Sequence, residues 1–314
     1  MIHDVYLPLL AAALFGRFGV RLANRMRPSH ATWFLTVGGA IIGTAALGSL
    51  LLLGFTLVGQ VRAIAAIGDW SASALGRRSP VAAAVACTAL VAVGLGVVSA
   101  ARVMIRRVRT IAIAHEACKR LPAIGGVVVT GDDDVTAYAL PGRPGRVIVS
   151  AATLARLDSR EASALVAHEQ SHLRHRHYLH QMIAAGVAAT NPLLRGVSSA
   201  TAYHIERWAD EDAAGKVGVR ETVAAALLSA AGPIAPLGAV RRAAALRRPQ
   251  SRSAPLAVLV GIACLAAVLL ASAEAASDAA QLFRRSDPGS RSSQTQSRHV
   301  DVRQSTSRPL VTNP

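Results

Sequence analysis

Charged and aromatic side chains are both scarce in this chain of 314 residues. Asp, Glu, Lys and Arg together make up 17% of the chain and Phe, Trp and Tyr only 4%, whereas hydrophobic residues reach 52%. Soluble globular domains have about 25% charged residues. The composition therefore argues against an ordinary soluble protein and favours a membrane protein.

Acidic residues are the scarcer of the two charge signs. The chain has 18 Asp and Glu against 34 Lys and Arg, which gives a net charge of +16. Such an excess could indicate nucleic-acid binding, but no basic motif is interleaved with aromatic residues. We therefore expect no direct nucleic-acid partner, and we attribute the excess to membrane topology and to contact with anionic lipids.

Only three cysteines are present, which excludes a framework of disulfides and a zinc ribbon. Cys87 and Cys264 fall in predicted membrane helices and Cys118 on the predicted cytoplasmic side. All three are expected to be reduced and to act as small apolar residues.

Four stretches are apolar enough to cross a membrane. The two longest contain no charge over 26 and 21 residues, which exceeds the about 20 residues that a spanning helix needs. A cleaved signal peptide is the alternative for the first stretch, but no basic segment precedes it. The predicted spans are residues 5–22, 33–58 and 81–101, all within 1–109, and residues 255–273.

Arginines cluster beside three of these spans, within residues 17–27, 102–109 and 241–252. Basic residues stay on the cytoplasmic side of a membrane. The three clusters agree only if four helices cross with both termini outside. The sequence therefore predicts a multi-pass cell-membrane protein.

The segment between the third and fourth spans, residues 110–251, is the predicted functional domain. It reads as α+β, with GGVVVTGDDD as a strand and turn, AYALPGRPG as a loop with tight turns, and RVIVS as a second strand. Residues 274–314 are rich in Ser, Arg and Gln and are expected to form a disordered extracytoplasmic tail. The predicted fold class is a mainly α membrane protein with a cytoplasmic α+β domain inserted between helices 3 and 4.

The stretch LVAHEQSHLRHRHYLH holds five of the ten histidines and contains the pattern H-E-x-x-H from His168 to His172. Asp158 and Glu161 form a capping-box pattern that predicts a helix start. On that helix His168 and His172 are separated by about 40° around the axis and point to one side. This spacing is typical of a zinc site in which the intervening Glu169 is the general base.

Two histidines leave zinc one protein ligand short. The candidate lies in YHIERWADEDAA, where Glu206 and Asp210 are four residues apart on one helical face. Glu206 is the predicted third ligand, and Asp210 is predicted to hold a ligand histidine from behind. Taken alone, this segment could equally be a solvated acidic helix.

None of the remaining histidines is predicted to bind the metal. His115 and Glu116 do not form a second site, because Lys119 stands where the second histidine would be needed. Tyr203 and His204 are the candidates for stabilising an oxyanion. A polar or membrane-surface face, rather than metal binding, is predicted for His175, His177 and His180.

The order of three spans, AYALPGRPGRVIV, LVAHEQSHLRHRHYLH, NPLLR, ERWADEDAA and a fourth span resembles the BlaR/MecR-type integral-membrane zinc metallopeptidases over residues 1–272. More distantly the chain is similar to HtpX-type membrane proteases. The resemblance implies a cytoplasmic zinc domain that cleaves a transcriptional repressor of the winged-helix type. The sensor domain of that family does not follow the fourth span, so the signal is not implied.

The predicted function is a zinc-dependent endopeptidase. Zinc held by His168, His172 and Glu206 would activate a water, and Glu169 would move its proton to the leaving amine. The strand Arg146–Ser150 is predicted to present its edge to a protein substrate. Signalling, membrane-protein quality control and a non-catalytic zinc-stabilised scaffold remain the alternative roles.

Overall fold

The computed structural model describes residues 2–79, 81–132, 134–231, 236–248 and 255–284, and these are mainly α-helical. At four places in the described residues a helix is long and apolar enough to cross a membrane, and each of these places overlaps one of the four predicted spans. The first is α1 (Ile2–Leu14), continued by a π-helical turn (Phe15–Gly19) and α2 (Val20–Ala23). The others are α3 (Pro28–Val58), α6 (Ala83–Cys118) and α13 (Pro255–Arg284).

Two of these helices are longer than the uncharged runs that predict them. Helix α6 continues from the third predicted span through Cys118, so the span and the start of the predicted domain form one helix. Helix α13 continues to Arg284, so residues 274–284 are helical rather than part of a disordered tail. Alanines there favour helix despite the nearby charges. The rest of the predicted tail, 285–314, lies outside the described residues.

The described chain divides into two compact units. The first comprises Met1–Leu9, Ala45–Gly94 and Val268–Pro314, as far as these are described. It includes two short helices, α4 (Arg62–Ile67) and α5 (Ala72–Arg78). Its core is formed by Val5, Leu53, Ala89 and Ala275. Cys87 in this unit is free and exposed, in agreement with a reduced cysteine.

The second unit comprises Leu10–Thr44 and Leu95–Ala267 and contains a three-stranded sheet. Its strands are β1 (Val127–Thr130), β2 (Ala137–Leu140) and β3 (Arg146–Ser150). Strand β3 lies in the centre, parallel to β1 and antiparallel to β2.

Two predictions about the sheet are therefore wrong. The segment AYAL of the predicted loop is a strand, because it pairs with β3 across the short connection 141–145, and alanine, which makes up half of it, has little preference for strands. Strand β3 is not an edge, since both of its sides are occupied. The two edge strands of the sheet are β1 and β2.

Helices complete the second unit and pack on each other through small residues. They are α7 (Ala151–Leu154), α8 (Ser159–Arg174), α9 (His177–Thr190), a 3-10 turn (Pro192–Leu194), α10 (Arg195–Val217), α11 (Arg220–Ala231) and α12 (Leu237–Leu246). The core cluster between them is mainly alanine, with Val223 and Leu246 as its larger members. Small side chains allow these helices to approach closely, which brings the side chains of α8, α10 and α12 together.

Helix α9 packs directly against the long apolar helices of the same unit. A Cβ built on Gly39 or Gly43 of α3 would lie 3.2 or 3.1 Å from the side chain of Val187. A Cβ built on Gly96 of α6 would lie 2.8 Å from the carbonyl oxygen of Thr190. Glycine at these positions permits the close contact.

Candidate metal centre

Helix α8 begins where the sequence predicts. The Asp158 carboxylate accepts from the amides of Arg160 and Glu161 at 2.8 Å each, and Glu161 accepts from the Asp158 amide at 3.1 Å. This capping box confirms the prediction. The cap satisfies first-turn amides and thereby sets which residues of α8 face the core.

Helices α8 and α10 bring the three predicted metal ligands together. The Nε2 atoms of His168 and His172 lie 3.1 Å apart. Glu206 of α10 places Oε2 at 3.5 Å from Nε2 of His168 and Oε1 at 3.6 Å from Nε2 of His172. One ligand atom from each residue lies within 4.8 Å of the others. Two imidazole nitrogens and a carboxylate oxygen at this separation fit a zinc ion with one coordination position left open.

Asp210 lies directly behind His168. Its Oδ1 is 3.0 Å from Nδ1 of His168, and its side chain is completely buried. Burial lowers the pKa of His168, but Asp210 and Glu206 outweigh burial and raise it to about 10. A metal cation binding at Nε2 takes the place of this proton.

His177 plays the corresponding part for His172, and the sequence did not predict it. Helices α8 and α9 are separated by a break at Arg176, which has a left-handed φ of 50°. This break brings Nδ1 of His177 to 3.0 Å from Nδ1 of His172. Burial lowers the pKa of His177 to about 3, so the ring is neutral. A metal ligand at Nε2 carries its proton on Nδ1, so His172 donates and His177 accepts.

Glu169 lies beside the ligand group and is buried. Burial raises the pKa of its carboxyl group, while His168 partly opposes that effect. A hydrogen bond from the backbone of Ala139 in β2 also favours the ionised form. A carboxylate with a raised pKa is a suitable general base near neutral pH.

Arg242 of α12 is a further member of the site that sequence reasoning missed. It donates through Nε and Nη2 to Asp210 at 2.8 and 2.6 Å, and through Nη1 to Glu206 at 2.7 Å. In the sequence it appears only as one of the arginines before the fourth span. Arg242 and Glu206 lie on different helices, so their separation in the sequence does not predict that they are in contact.

The predicted surface role of the other histidines is wrong for two of them. His177 and His180 are buried, and His180 lies 3.1 Å from Thr36 of α3 through Nδ1. His175 is half-buried and lies 2.7 Å from Asp212, which also accepts from Ser171 at 2.8 Å. The helix break at Arg176, which the sequence did not predict, removes all three from the face of α8.

A cavity of about 280 Å³ opens beside the ligand group. Tyr178 and Gln181 of α9 and residues of strand β2 are among those that line it. Tyr203 and His204, the predicted oxyanion candidates, do not line it. Tyr203 lies under the guanidinium of Arg241 at 5.3 Å, and His204 contacts Asn24 at 3.2 Å.

The free edge of β2 faces this cavity. The Ser150 amide donates to the carbonyl of Thr136, so the backbones of these two residues face each other across the ladder. In an antiparallel ladder the next pair, Ala137 with Val149, is then a non-hydrogen-bonded pair. The N–H and C=O groups of Ala137 and Ala139 consequently point away from β3. Both residues line the cavity.

HExxH metallopeptidases have one helix that carries two metal-binding histidines and a glutamate base. Here a carboxylate from another helix is the candidate third ligand. Residues 101–249 match the family model of peptidase family M48. The matched segment is slightly less than half of the chain and contains every residue of the metal centre. The match supports a peptidase but not the BlaR/MecR type in particular. No curated protein and no solved structure matches the chain.

Proposed function

We propose that this protein is a membrane-associated, zinc-dependent endopeptidase that hydrolyses peptide bonds of a protein substrate. The observation that carries the proposal is the approach of His168, His172 and Glu206 around one point, with Glu169 buried beside them. A site that only stabilises the fold has no use for a carboxylate next to its ligands. The cavity beside the group gives a substrate access to it.

Zinc bound by His168, His172 and Glu206 would act as a Lewis acid that activates water and polarises the scissile carbonyl. Glu169 accepts a proton from the attacking water and delivers it to the leaving amine. General acid and base catalysis of this kind contributes about 10²–10⁴ in rate. Asp210 and His177 hold the two histidine rings, which keeps both Nε2 atoms directed at the same point.

The substrate is proposed to bind as an added strand on β2. The outward N–H and C=O groups of Ala137 and the outward C=O group of Ala139 offer hydrogen bonds to an extended peptide. Because Ala139 also contacts Glu169, a peptide on this edge passes next to the general base. This assigns to β2 the role that the sequence predicted for Arg146–Ser150.

The cellular role is proposed from the topology and from the two resemblances. With the metal centre on the cytoplasmic side of a cell membrane, the substrate is a winged-helix repressor in a signalling pathway or, as the alternative, a membrane protein under quality control. Proteomics of cells producing wild type or Glu169→Gln separates these roles. Loss of cleavage products from one soluble repressor supports signalling, and loss from several membrane proteins supports quality control.

The direct test compares Glu169→Gln with His168→Ala in the full-length protein in detergent. Glu169→Gln should keep about one zinc per chain and lose the about 10²–10⁴-fold contribution of the base to cleavage of a casein-like substrate. His168→Ala should lose zinc as well as activity. Equal cleavage by wild type and Glu169→Gln would exclude the mechanism. If wild type and Glu169→Gln both bind zinc and neither cleaves the substrate, the non-catalytic zinc-stabilised scaffold is favoured.

A further inference from the structure

Arg242 contacts more oxygen atoms of the metal centre than any other cation in the described part of the chain. It bonds to both carboxylate oxygens of Asp210 and to Oε2 of Glu206, three of the four oxygens of these two groups. The side chain is only 14% exposed, and both partners are held on α10. The fork geometry of a guanidinium suits two carboxylates at once, whereas an ammonium does not.

Helix α12 delivers this guanidinium from a fixed position. Arg220 of α11 donates to the carbonyl of Leu246 at 2.6 Å, and Arg247 of α12's end pairs with Glu221 at 2.7 Å. Ala243 and Leu246 are buried in the core cluster that α8, α10 and α11 share. Arg242 is therefore held by the scaffold and does not simply fold back from solvent onto the nearest acid.

These contacts leave one oxygen of the pair without a bond to Arg242. Oε2 of Glu206 accepts from Arg242 and also lies 3.5 Å from Nε2 of His168, while Oε1 lies 3.6 Å from Nε2 of His172 and has no bond to Arg242. Oδ1 of Asp210 accepts from Arg242 and at the same time lies 3.0 Å from Nδ1 of His168. We propose that Arg242 is a positioning residue that makes Glu206 a one-oxygen ligand through Oε1 and keeps Asp210 against His168. The inference rests on the metallopeptidase function proposed above.

Charge is compatible with this role. A divalent cation and Arg242 together carry three positive charges, and Glu169, Glu206 and Asp210 carry three negative ones. The positive charge of the guanidinium repels a nearby metal cation, but the Asp210 carboxylate, 2.6 Å away, neutralises the charge of Arg242. Orientation rather than attraction is then what Arg242 contributes, and residues that orient metal ligands typically affect affinity about 10–100-fold.

The experiment uses full-length protein in detergent with zinc and cobalt(II) as probes. The variants are Arg242→Gln, Arg242→Lys and the matched control Arg241→Gln, which removes the same charge from the adjacent, exposed position of α12. The measurements are the zinc dissociation constant by chelator competition and the visible absorption of the cobalt form, which reports the coordination number. Neither measurement depends on catalytic activity.

Arg242→Gln should weaken zinc binding about 10–100-fold and reduce the cobalt absorption, because a released Glu206 can bind through both oxygens. Arg242→Lys should fall between Arg242→Gln and wild type, and Arg241→Gln should equal wild type. Wild-type affinity and absorption in Arg242→Gln, or full recovery in Arg242→Lys, would overturn the proposal. Should Arg242→Gln not fold, Arg242→Lys decides by the same two measurements. Absence of metal binding in wild type and in Arg241→Gln would instead contradict the metal site itself.

Discussion

The two candidate metal-binding histidines are held by different kinds of partner at the other ring nitrogen. A carboxylate, Asp210, lies behind His168, and a neutral imidazole, His177, lies behind His172. The carboxylate strengthens the electron donation of the first ring, whereas the neutral partner only fixes the orientation of the second. The two ligands are therefore expected to differ in basicity.

His177 provides a prediction at this scale. His177→Leu removes the acceptor for the Nδ1 proton of His172 and should weaken zinc binding about 10–100-fold. His177→Asn places an amide oxygen near the lost nitrogen and should stay much closer to wild type. The zinc dissociation constant of the two variants is the measurement. Equal losses in both would show that packing of the ring, rather than the hydrogen bond, is what matters.

At the scale of elements, the outer edge of β2 is the part of the sheet that meets the cavity. Edge strands with free backbone groups invite pairing with another chain. This edge is only four residues long and lies beside α8, so it offers pairing to one extended peptide at the metal centre.

Ala137→Pro tests that edge. Proline removes one outward N–H group and is tolerated on an edge whose N–H faces away from the sheet. One hydrogen bond is worth about 0.5–1.5 kcal/mol, so kcat/KM for peptide cleavage should fall about 2–12-fold while zinc content stays constant. Ala137→Ser keeps the N–H group and is the control. An unchanged kcat/KM in Ala137→Pro would place the substrate elsewhere.

Helix α6 offers a second prediction at this scale, through a pair of glycines two residues apart. A Cβ at Gly96 would lie 2.8 Å from the carbonyl oxygen of Thr190, whereas a Cβ at Gly94 would meet nothing within 4 Å. Gly96→Ala should destabilise the protein by about 1–3 kcal/mol through overpacking against α9. Gly94→Ala should be neutral or stabilising by up to about 1 kcal/mol, since alanine favours helix. Thermal unfolding in detergent measures both, and equal melting temperatures would contradict the contact.

At the scale of the whole molecule, four apolar helices account for the composition. Arginines flank three of them, and the excess of basic residues stays with the segments expected in the cytoplasm. One of the arginines counted toward the topology, Arg242, bonds to carboxylates of the metal centre instead of facing the membrane surface.

The topology predicts opposite accessibilities for two tags. A tag after Pro314 should be cleaved by protease added to intact cells, because an even number of spans returns the chain to the outside. A tag inserted at Gly218, in the turn between α10 and α11, should be protected until the cells are lysed. Immunoblotting reads both results. Protection of the tag after Pro314 would require an odd number of spans.

The features that the sequence by itself determined are those that depend on local spacing. His172 follows His168 by four positions, as Asp210 follows Glu206, and helix geometry places each pair on one face of its helix. The capping box at Asp158 and the uncharged runs are equally local. For that reason the pairing of these side chains on their helices, the start of α8 and the apolar helices were predictable from the chain alone.

Only the tertiary structure decided which distant residues complete the centre. His177 reaches His172 because the helix breaks at Arg176, and Arg242 reaches Glu206 because α12 packs into the alanine core. The strand β2 exists through its pairing with β3. These outcomes follow from contacts summed over the whole unit, and no single residue type or spacing predicts them. From the sequence, His177 was therefore assigned to a surface face, Arg242 to the arginines that set the topology, and β2 to a loop.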